Sequence, residues 1–408
     1  MEFRLTAAIG LAAALALPPL AAFAQQQPAP AAPAAPTWQQ GRTEGMAASP
    51  LAPHAPRLTM TPADRLPLAS LKVPEGFKVE VWASGAPGAR MMAEGPNGTL
   101  FVGTRSIGRV YAITEEGGQR KVRTIAERLS QPNGVAVRDG ALYVVAINKV
   151  YRYDGIEGKL DNPGQPADLT AAFNLPSEEH HGWKFMNFSP DGRLTMNIGA
   201  PCNICDVNRD THAMIVSFKP DGSDRRVEAK GVRNSVGFDW HPATRELWAT
   251  SNGRDWAGND TPSDQLFRIR KVGEDFGFPF CVGAWNDPSM PKRECSEFSK
   301  PAAELGPHVA ALGAEFYTGT MFPETWRNQL FIARHGSWNR EQLSGYDVVV
   351  AKIGADGAVT GVEPFLTGFR DDANNRFLGR PTDVHQMKDG SLLVSDEQNG
   401  AIYRISRQ

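Results

Sequence analysis

Val384-His385-Gln386-Met387-Lys388-Asp389-Gly390-Ser391-Leu392-Leu393-Val394 reads as a β-hairpin: an apolar run, an Asp-Gly turn and a second apolar run that opens on leucine. A tight turn between twisted strands needs φ > 0, which Asp-Gly and Asn-Gly supply at little cost. Ile402-Tyr403-Arg404-Ile405 follows as a third strand.

Working back along the chain, the same unit recurs. Met91-Met92-Ala93-Glu94-Gly95-Pro96-Asn97-Gly98-Thr99-Leu100-Phe101-Val102 and Val135-Ala136-Val137-Arg138-Asp139-Gly140-Ala141-Leu142-Tyr143-Val144 are two copies. Met186-Asn187-Phe188-Ser189-Pro190-Asp191-Gly192-Arg193-Leu194 is a third. Gly237-Phe238-Asp239-Trp240 with Glu246-Leu247-Trp248, and Glu315-Phe316-Tyr317 with Gln329-Leu330-Phe331-Ile332, are two more, so the total is six. Third strands are legible at Val110–Ile113, Val150–Tyr153, Leu266–Ile269 and Val348–Ala351. Long helical periodicity is absent. A unit of about four strands repeated around a ring is an all-β, six-bladed β-propeller with four-stranded antiparallel blades. Val79-Glu80-Val81-Trp82 is a spare strand before the first copy, placed to complete the last blade and close the ring.

The remainder frames that domain. Arg4, the apolar run Ala7–Leu20 and Ala22-Phe23-Ala24 form an export signal over residues 1–24, with cleavage expected before Gln25. The apolar run is shorter than the ~20 residues a membrane span needs, and Pro18 and Pro19 interrupt it. Residues 25–36 contain Gln, Pro and Ala alone, so a linker without packing partners is expected over 25–65, ahead of a propeller over 66–408. Exported, the protein would be periplasmic or secreted. Lys and Arg number 43 against 45 Asp and Glu with no basic block, which excludes a nucleic-acid footprint and gives no case for an anionic membrane surface. The four cysteines, Cys202, Cys205, Cys281 and Cys295, are an even set in an exported chain and favour disulfides, Cys281–Cys295 foremost. Asp206 rather than His follows Cys205, so the C-x-x-C is not a haem attachment site.

The repeat also sorts residues in space. Within a blade the first strand lines the channel and the second returns antiparallel, so first-strand starts and second-strand ends share one rim. First-strand starts carry Arg90, Asn133, His180-His181, Arg233-Asn234, His308 and Arg380. Second-strand ends carry Thr104-Arg105, Asn148, Cys202–Cys205, Asn252-Gly253-Arg254-Asp255, Arg334-His335 and Asp396. Converging guanidinium groups favour an anionic ligand, which they bind bidentately. His181 is the candidate general base, with its neighbour His180 facing the other way on an extended chain. Asn252 to Asp255 could offer carbonyls and a carboxylate to a hard cation such as Ca²⁺.

These residues resemble a known family, the soluble PQQ-dependent glucose/sorbosone dehydrogenases, over roughly residues 70–406. The motifs that carry the resemblance are His181 with Ser189-Pro190-Asp191-Gly192, Arg233-Asn234, Asp275-Phe276-Gly277-Phe278-Pro279 and Gly379-Arg380-Pro381-Thr382-Asp383. The Cys202/Cys205 pair and His335-Gly336-Ser337-Trp338-Asn339-Arg340 resemble the sorbosone branch more than the glucose branch. The resemblance implies a PQQ cofactor held by Arg90, Asn133, Arg233, Asn234, Arg334, His335 and Arg380. It also implies Ca²⁺ at Gly253, Arg254 and Asp255, and His181 as the base that deprotonates a small sugar or sugar aldehyde while hydride leaves for the quinone. Electrons would then pass to a quinone or cytochrome acceptor. Three positions depart from the glucose branch: His180 replaces an Asp, Ala200 replaces an acidic residue, and a fifth-blade lysine has no counterpart beyond Arg334 or His335. These differences speak against glucose itself. The competing readings are a Ca²⁺-dependent propeller lactonase, disfavoured by the basic axis, and a non-catalytic binding propeller.

Overall fold

A computed structural model describes residues 57–408; residues 1–56, with the expected export segment and most of the expected linker, lie outside the described residues. Six blades surround an axis. Blade 1 is built from Ala89–Glu94, Leu100–Thr104, Val110–Glu116 and Gln119–Ala126, and blade 2 from Gly134–Arg138, Ala141–Ala146, Lys149–Asp154 and Ala167–Asp168. Blade 3 holds Met186–Phe188, Leu194–Ile198, Met214–Phe218 and Arg226–Lys230, with the short Glu274–Asp275 added in parallel at its edge. Blade 4 holds Phe238–Trp240, Leu247–Ser251, Ser263–Ile269 and Ala303–Pro307. Blade 5 holds Ala311–Phe316, Leu330–Arg334, Asp347–Ile353 and Val359–Leu366. Blade 6 takes Pro381–Gln386, Leu392–Asp396 and Ala401–Arg407 from the C-terminal region and Phe77–Ser84 as its outer strand.

That outer strand is the expected ring closure. Phe77 pairs with Arg407 and Val81 with Tyr403. Phe77 is its hydrophobic anchor, edge-on to Phe322 at 4.7 Å and to Phe365 at 5.4 Å. Burying such a ring contributes roughly 1.5–3 kcal/mol. The chain is seated earlier than the linker reading placed it: Thr59 N–H donates to Gln398 O at 2.8 Å and Gln398 Nε2 to Arg57 O at 2.7 Å.

Second strands are wholly buried in five of the blades, for example Leu247–Ser251 and Leu392–Asp396, because blades pack face to face on both sides of them. Neighbouring blades are also stitched by carboxylates. Asp383 of blade 6 accepts the Met92 N–H of blade 1, and Asp239 of blade 4 accepts the Phe316 N–H of blade 5, each at 2.8 Å. The Asp-Gly turns collect on one rim, where Gly192 and Gly390 take φ of 84° and 85°. The opposite rim carries the connections from second to third strands, the longest over residues 199–213. Cysteines 202 and 205, and 281 and 295, form disulfides. No helix among the described residues is long and apolar enough to cross a membrane.

Candidate active site

The register puts first-strand starts beside second-strand ends: Ala89 opposite Thr104, Ala311 opposite Arg334, Pro381 opposite Asp396. In these three blades the ladder slips at that point, between Ala89 and Met92, Ala311 and Ala314, and Pro381 and Asp383. A bulge there re-aims the side chain it carries. Arg90 sits in the first of them and is 2% exposed.

Around the axis mouth the side chains form two linked groups. In the first, Arg90 Nη1 pairs with Glu397 at 2.7 Å and Arg90 Nε donates to Asn133 Oδ1 at 2.5 Å. Asn133 in turn donates to Lys184 O at 2.7 Å. His335 Nε2 lies 3.1 Å from the same Glu397 oxygen, and Arg380 Nη2 donates to Gly336 O at 3.0 Å. Burial works against ionisation of Glu397, yet Arg90, His335 and Arg380 together hold its carboxyl far below the usual range. Arg105 stands beside this group with its guanidinium 3.7 Å over the Trp183 ring. Burial, with Arg90 and Arg380 adding repulsion, pushes Arg105 down to about 10.

The second group centres on His181 and Arg233. His181 is buried with φ of 49°, a backbone conformation that costs a non-glycine residue and recurs at functional sites. Gly199 makes room for it, since a Cβ there would come 2.5 Å from His181 Cβ. His181 Nδ1 lies 2.8 Å from Ala200 O, which can only accept, so Nδ1 carries the hydrogen and Nε2 the lone pair. Burial, then Arg233 and His180, depress its pKa well below the ordinary value. His180 is pushed down to about 4 by burial, Arg233 and Arg105, so both rings are neutral at neutral pH. Arg233 donates through Nε to Asn203 O at 2.9 Å, through Nη2 to Asn203 Oδ1 at 2.8 Å and through Nη1 to Gly253 O at 2.8 Å. Asn234 donates to Asn252 Oδ1 at 3.3 Å, while its own Oδ1 is buried with no hydrogen-bond partner among the described residues. Trp183 Nε1 is in the same state.

Other sequence-derived candidates are committed elsewhere. Arg334 does not join the mouth cluster: both arms of its guanidinium hold Asp347 on the adjacent strand, at 2.7 and 2.5 Å, and Nη1 reaches Leu305 O. The Arg254 side chain forms a buried ion pair with Asp287 at 3.0 Å. Gly253 O is engaged by Arg233, and Asp255 Oδ2 lies 3.8 Å from Arg233 Nη2, so a guanidinium stands against two of the three residues expected to hold a cation. Among the described residues no group of three or more His, Cys, Asp or Glu stands ready to hold a metal ion. Glu397, Trp183, Asn203 and Lys184 carry roles in this site that sequence reading missed; Glu397 is the residue after Asp396, which the repeat register does place on this rim. Burial pushes Lys184 down to about 7.

The donor set suits a planar anion. Arg90, Arg105 and Arg380 lie within electrostatic reach of one another with Glu397 paired among them, and the second group adds Arg233 and two neutral imidazoles. A buried amide oxygen and an indole N–H remain unpaired beside them, a cost natural proteins bear chiefly where a ligand or water completes the set.

Known proteins share this architecture. The PQQ domain of a pyranose dehydrogenase from Coprinopsis cinerea, in its holo form, superposes with a TM-score of 0.69 at 20% identity, over 87% of this chain and 98% of that one. In sequence, the PQQ-dependent pyranose dehydrogenase of Coprinopsis cinerea is 27% identical over 235 residues, which are 45% of this chain and span only 31% of that enzyme. An uncharacterized protein of Borreliella burgdorferi is 33% identical over 354 residues, covering 83% of this chain and 91% of that protein. The TrAA12-like family model matches residues 71–408, the span from just before the closing strand to the end of blade 6, and the chain therefore belongs to the TrAA12-like family.

Proposed function

We propose that this protein is a quinoprotein sugar oxidoreductase that uses PQQ. The observation that carries the reading is the buried arginine mouth with unpaired Asn234 Oδ1 and Trp183 Nε1, next to a neutral histidine whose Nε2 lone pair is left available. PQQ has three carboxylates, which Arg90, Arg105, Arg233 and Arg380 would hold, with Asn133, Asn234 and His335 orienting its edges. When bound, PQQ supplies an ortho-quinone able to accept a hydride. The protein's part is positional and protonic: the arginines would fix the ring plane, the buried walls would exclude water, and His181 Nε2 would take the O–H proton of the hydroxyl borne by the carbon being oxidised. Ala200 O holds the imidazole in the tautomer this requires. The named relatives in Coprinopsis cinerea support PQQ and a sugar substrate.

Three finer points belong to the same proposal. Ca²⁺ would take the hard oxygens of Gly253, Arg254 and Asp255, in competition with Arg233 for the Gly253 carbonyl. A sorbosone-like aldehyde is favoured over glucose by His180 and Ala200 and by the Cys202–Cys205 and 335–340 motifs. A periplasmic or secreted location is the reading that an export signal over residues 1–24 would give, and two disulfides fit it.

The test is reconstitution of the apo protein with PQQ, with and without Ca²⁺, followed by dye reduction with a panel of aldoses and sugar aldehydes. Sugar- or aldehyde-dependent reduction that requires PQQ is expected. Lactone hydrolysis without PQQ, or no PQQ binding at all, would overturn the reading.

A further inference from the structure

The C-x-x-C loop lies against the second of the two groups that shape the mouth, the one centred on His181 and Arg233. It leaves the second strand of blade 3 at Ala200 and is buried: Cys202 is 2% exposed, Asn203 0% and Ile204 6%. Ala200, Cys202, Ile204 and Val207 pack with Phe278 in a small apolar cluster. Asn203, between the bridged cysteines, bonds in several directions at once. Its carbonyl and its Oδ1 both accept from Arg233, at 2.9 and 2.8 Å. The same Oδ1 accepts the Asp255 N–H at 2.8 Å, and Nδ2 donates to Asp255 O at 3.0 Å. One residue thus sets the plane of the Arg233 guanidinium and the course of the blade 4 loop that carries Gly253. The start of the loop does the corresponding work for the base: Ala200 O takes the His181 Nδ1 hydrogen and Ala200 N donates to Arg233 O at 2.8 Å.

We infer that Asn203 is a positioning residue for Arg233, and that the Cys202–Cys205 disulfide holds it in place. The physical reason is entropic. The loop has no strand partner over these residues, so ordering its backbone costs conformational entropy, and a covalent tie across Asn203–Ile204 removes much of that freedom from the outset. Arg233 could be held by any two acceptors. Held by Asn203 it has one orientation, which fixes the direction of the positive charge it presents to the mouth.

The inference rests on the PQQ reading, and the experiment separates the two. Calorimetric titration of PQQ into apo wild type, Asn203→Ala, Arg233→Ala and the double variant forms a cycle, with thermal unfolding of each apo protein alongside. Asn203→Ala is expected to weaken PQQ binding by about tenfold to a hundredfold, the size of lost hydrogen bonds to a charged group. In the Arg233→Ala background the same substitution should change little, because its effect runs through Arg233. The paired Cys202→Ser, Cys205→Ser variant should weaken PQQ binding in the same direction while Cys281–Cys295 remains intact. Equal PQQ affinity in Asn203→Ala and wild type would overturn the proposal, as would an equal loss with and without Arg233. So would collapse of the fold in both Asn203→Ala and the cysteine variant, which would make the loop a structural brace only. Failure of the wild type itself to bind PQQ would instead sink the functional reading.

Discussion

The two ends of the propeller axis are built from the same first strands, yet they carry opposite chemistry. At the mouth, Arg90, Arg105, Arg233 and Arg380 meet His180, His181 and His335. At the end bearing the Asp-Gly turns, Glu94, Asp239, Glu315, Asp383 and His385 line a cavity of about 160 Å³. The electrostatics run in opposite directions. Burial and neighbouring arginines push His180 and His335 down to about 4. At the far end burial works against the His385 imidazolium, but Glu315 at 3.2 Å and Asp383 outweigh it and raise its pKa. Burial pushes Asp239 and Asp383 up to about 7. The acidic end commits Asp239 and Asp383 to backbone N–H groups across blade seams, and His385 Nε2 is its buried atom without a hydrogen-bond partner among the described residues. The basic end leaves Asn234 Oδ1 and Trp183 Nε1 without partners. The acidic end fastens blade to blade, and the basic end carries the arginine cluster proposed to receive PQQ.

Substitutions at the two ends should fail in different ways. The largest effect expected is for His181→Ala, which should lower turnover of the PQQ-loaded enzyme by about 10²–10⁴-fold, the usual share of a general base. PQQ affinity, measured by calorimetry, should be nearly unchanged; a variant with wild-type turnover would remove His181 from the reaction. Next comes Arg90→Ala, which strips Glu397 of one of its two partners in a buried site and should destabilise the fold by about 3–5 kcal/mol while weakening PQQ binding. Denaturant unfolding with and without PQQ reads both effects. Loss of stability with no change in PQQ affinity would place Arg90 among the fasteners.

The smallest effect is a change of slope. Asp239 and Asp383 have folded values near 7, above the ordinary 3.8, so between those values the folded state binds more protons than the unfolded one. Their contribution to stability therefore falls as pH rises from about 4 to about 7. His180 and His335, depressed from 6.5 to about 4, bind fewer protons when folded, and their contribution rises over the overlapping window. Asp383→Asn keeps an acceptor for Met92 N–H and removes one titrating group. The dependence of the unfolding midpoint on pH between 5 and 7 should then tilt toward greater stability at higher pH than in wild type. An unchanged profile would show that the far end does not titrate as described.

The repeat made the architecture legible because each hairpin announces itself locally, through an Asp-Gly or Asn-Gly turn between apolar runs. The closing strand was legible for the same reason: Val79, Val81 and Trp82 form an apolar run with no partner nearby in sequence. The outer strands were not, since Gln119–Ala126 is half exposed and Arg226–Lys230 fully buries Ala229 alone, so neither shows an apolar run. The rim residues were found from register alone, and the structure brings Arg90, Asn133, Arg233, His335 and Arg380 to the mouth as that register implies. What register cannot supply is partner choice. Arg334 stands at the right height but finds Asp347 on its own blade. Arg90 meets Glu397 across 307 residues of chain, a pairing fixed only when the ring closes. Asn203 sits inside a visible C-x-x-C, yet its role depends on the blade 4 loop folding over it.

The proposed function requires the mouth to receive a polycarboxylate quinone. Calorimetric titration of PQQ into the apo protein at two salt concentrations tests this most directly. Saturable binding of one PQQ per chain is expected, weaker at the higher salt as arginine–carboxylate contacts are screened, and lost in step with Arg90, Arg233 and Arg380 when each is replaced by alanine. Absence of binding, or binding indifferent to those three arginines, would contradict it.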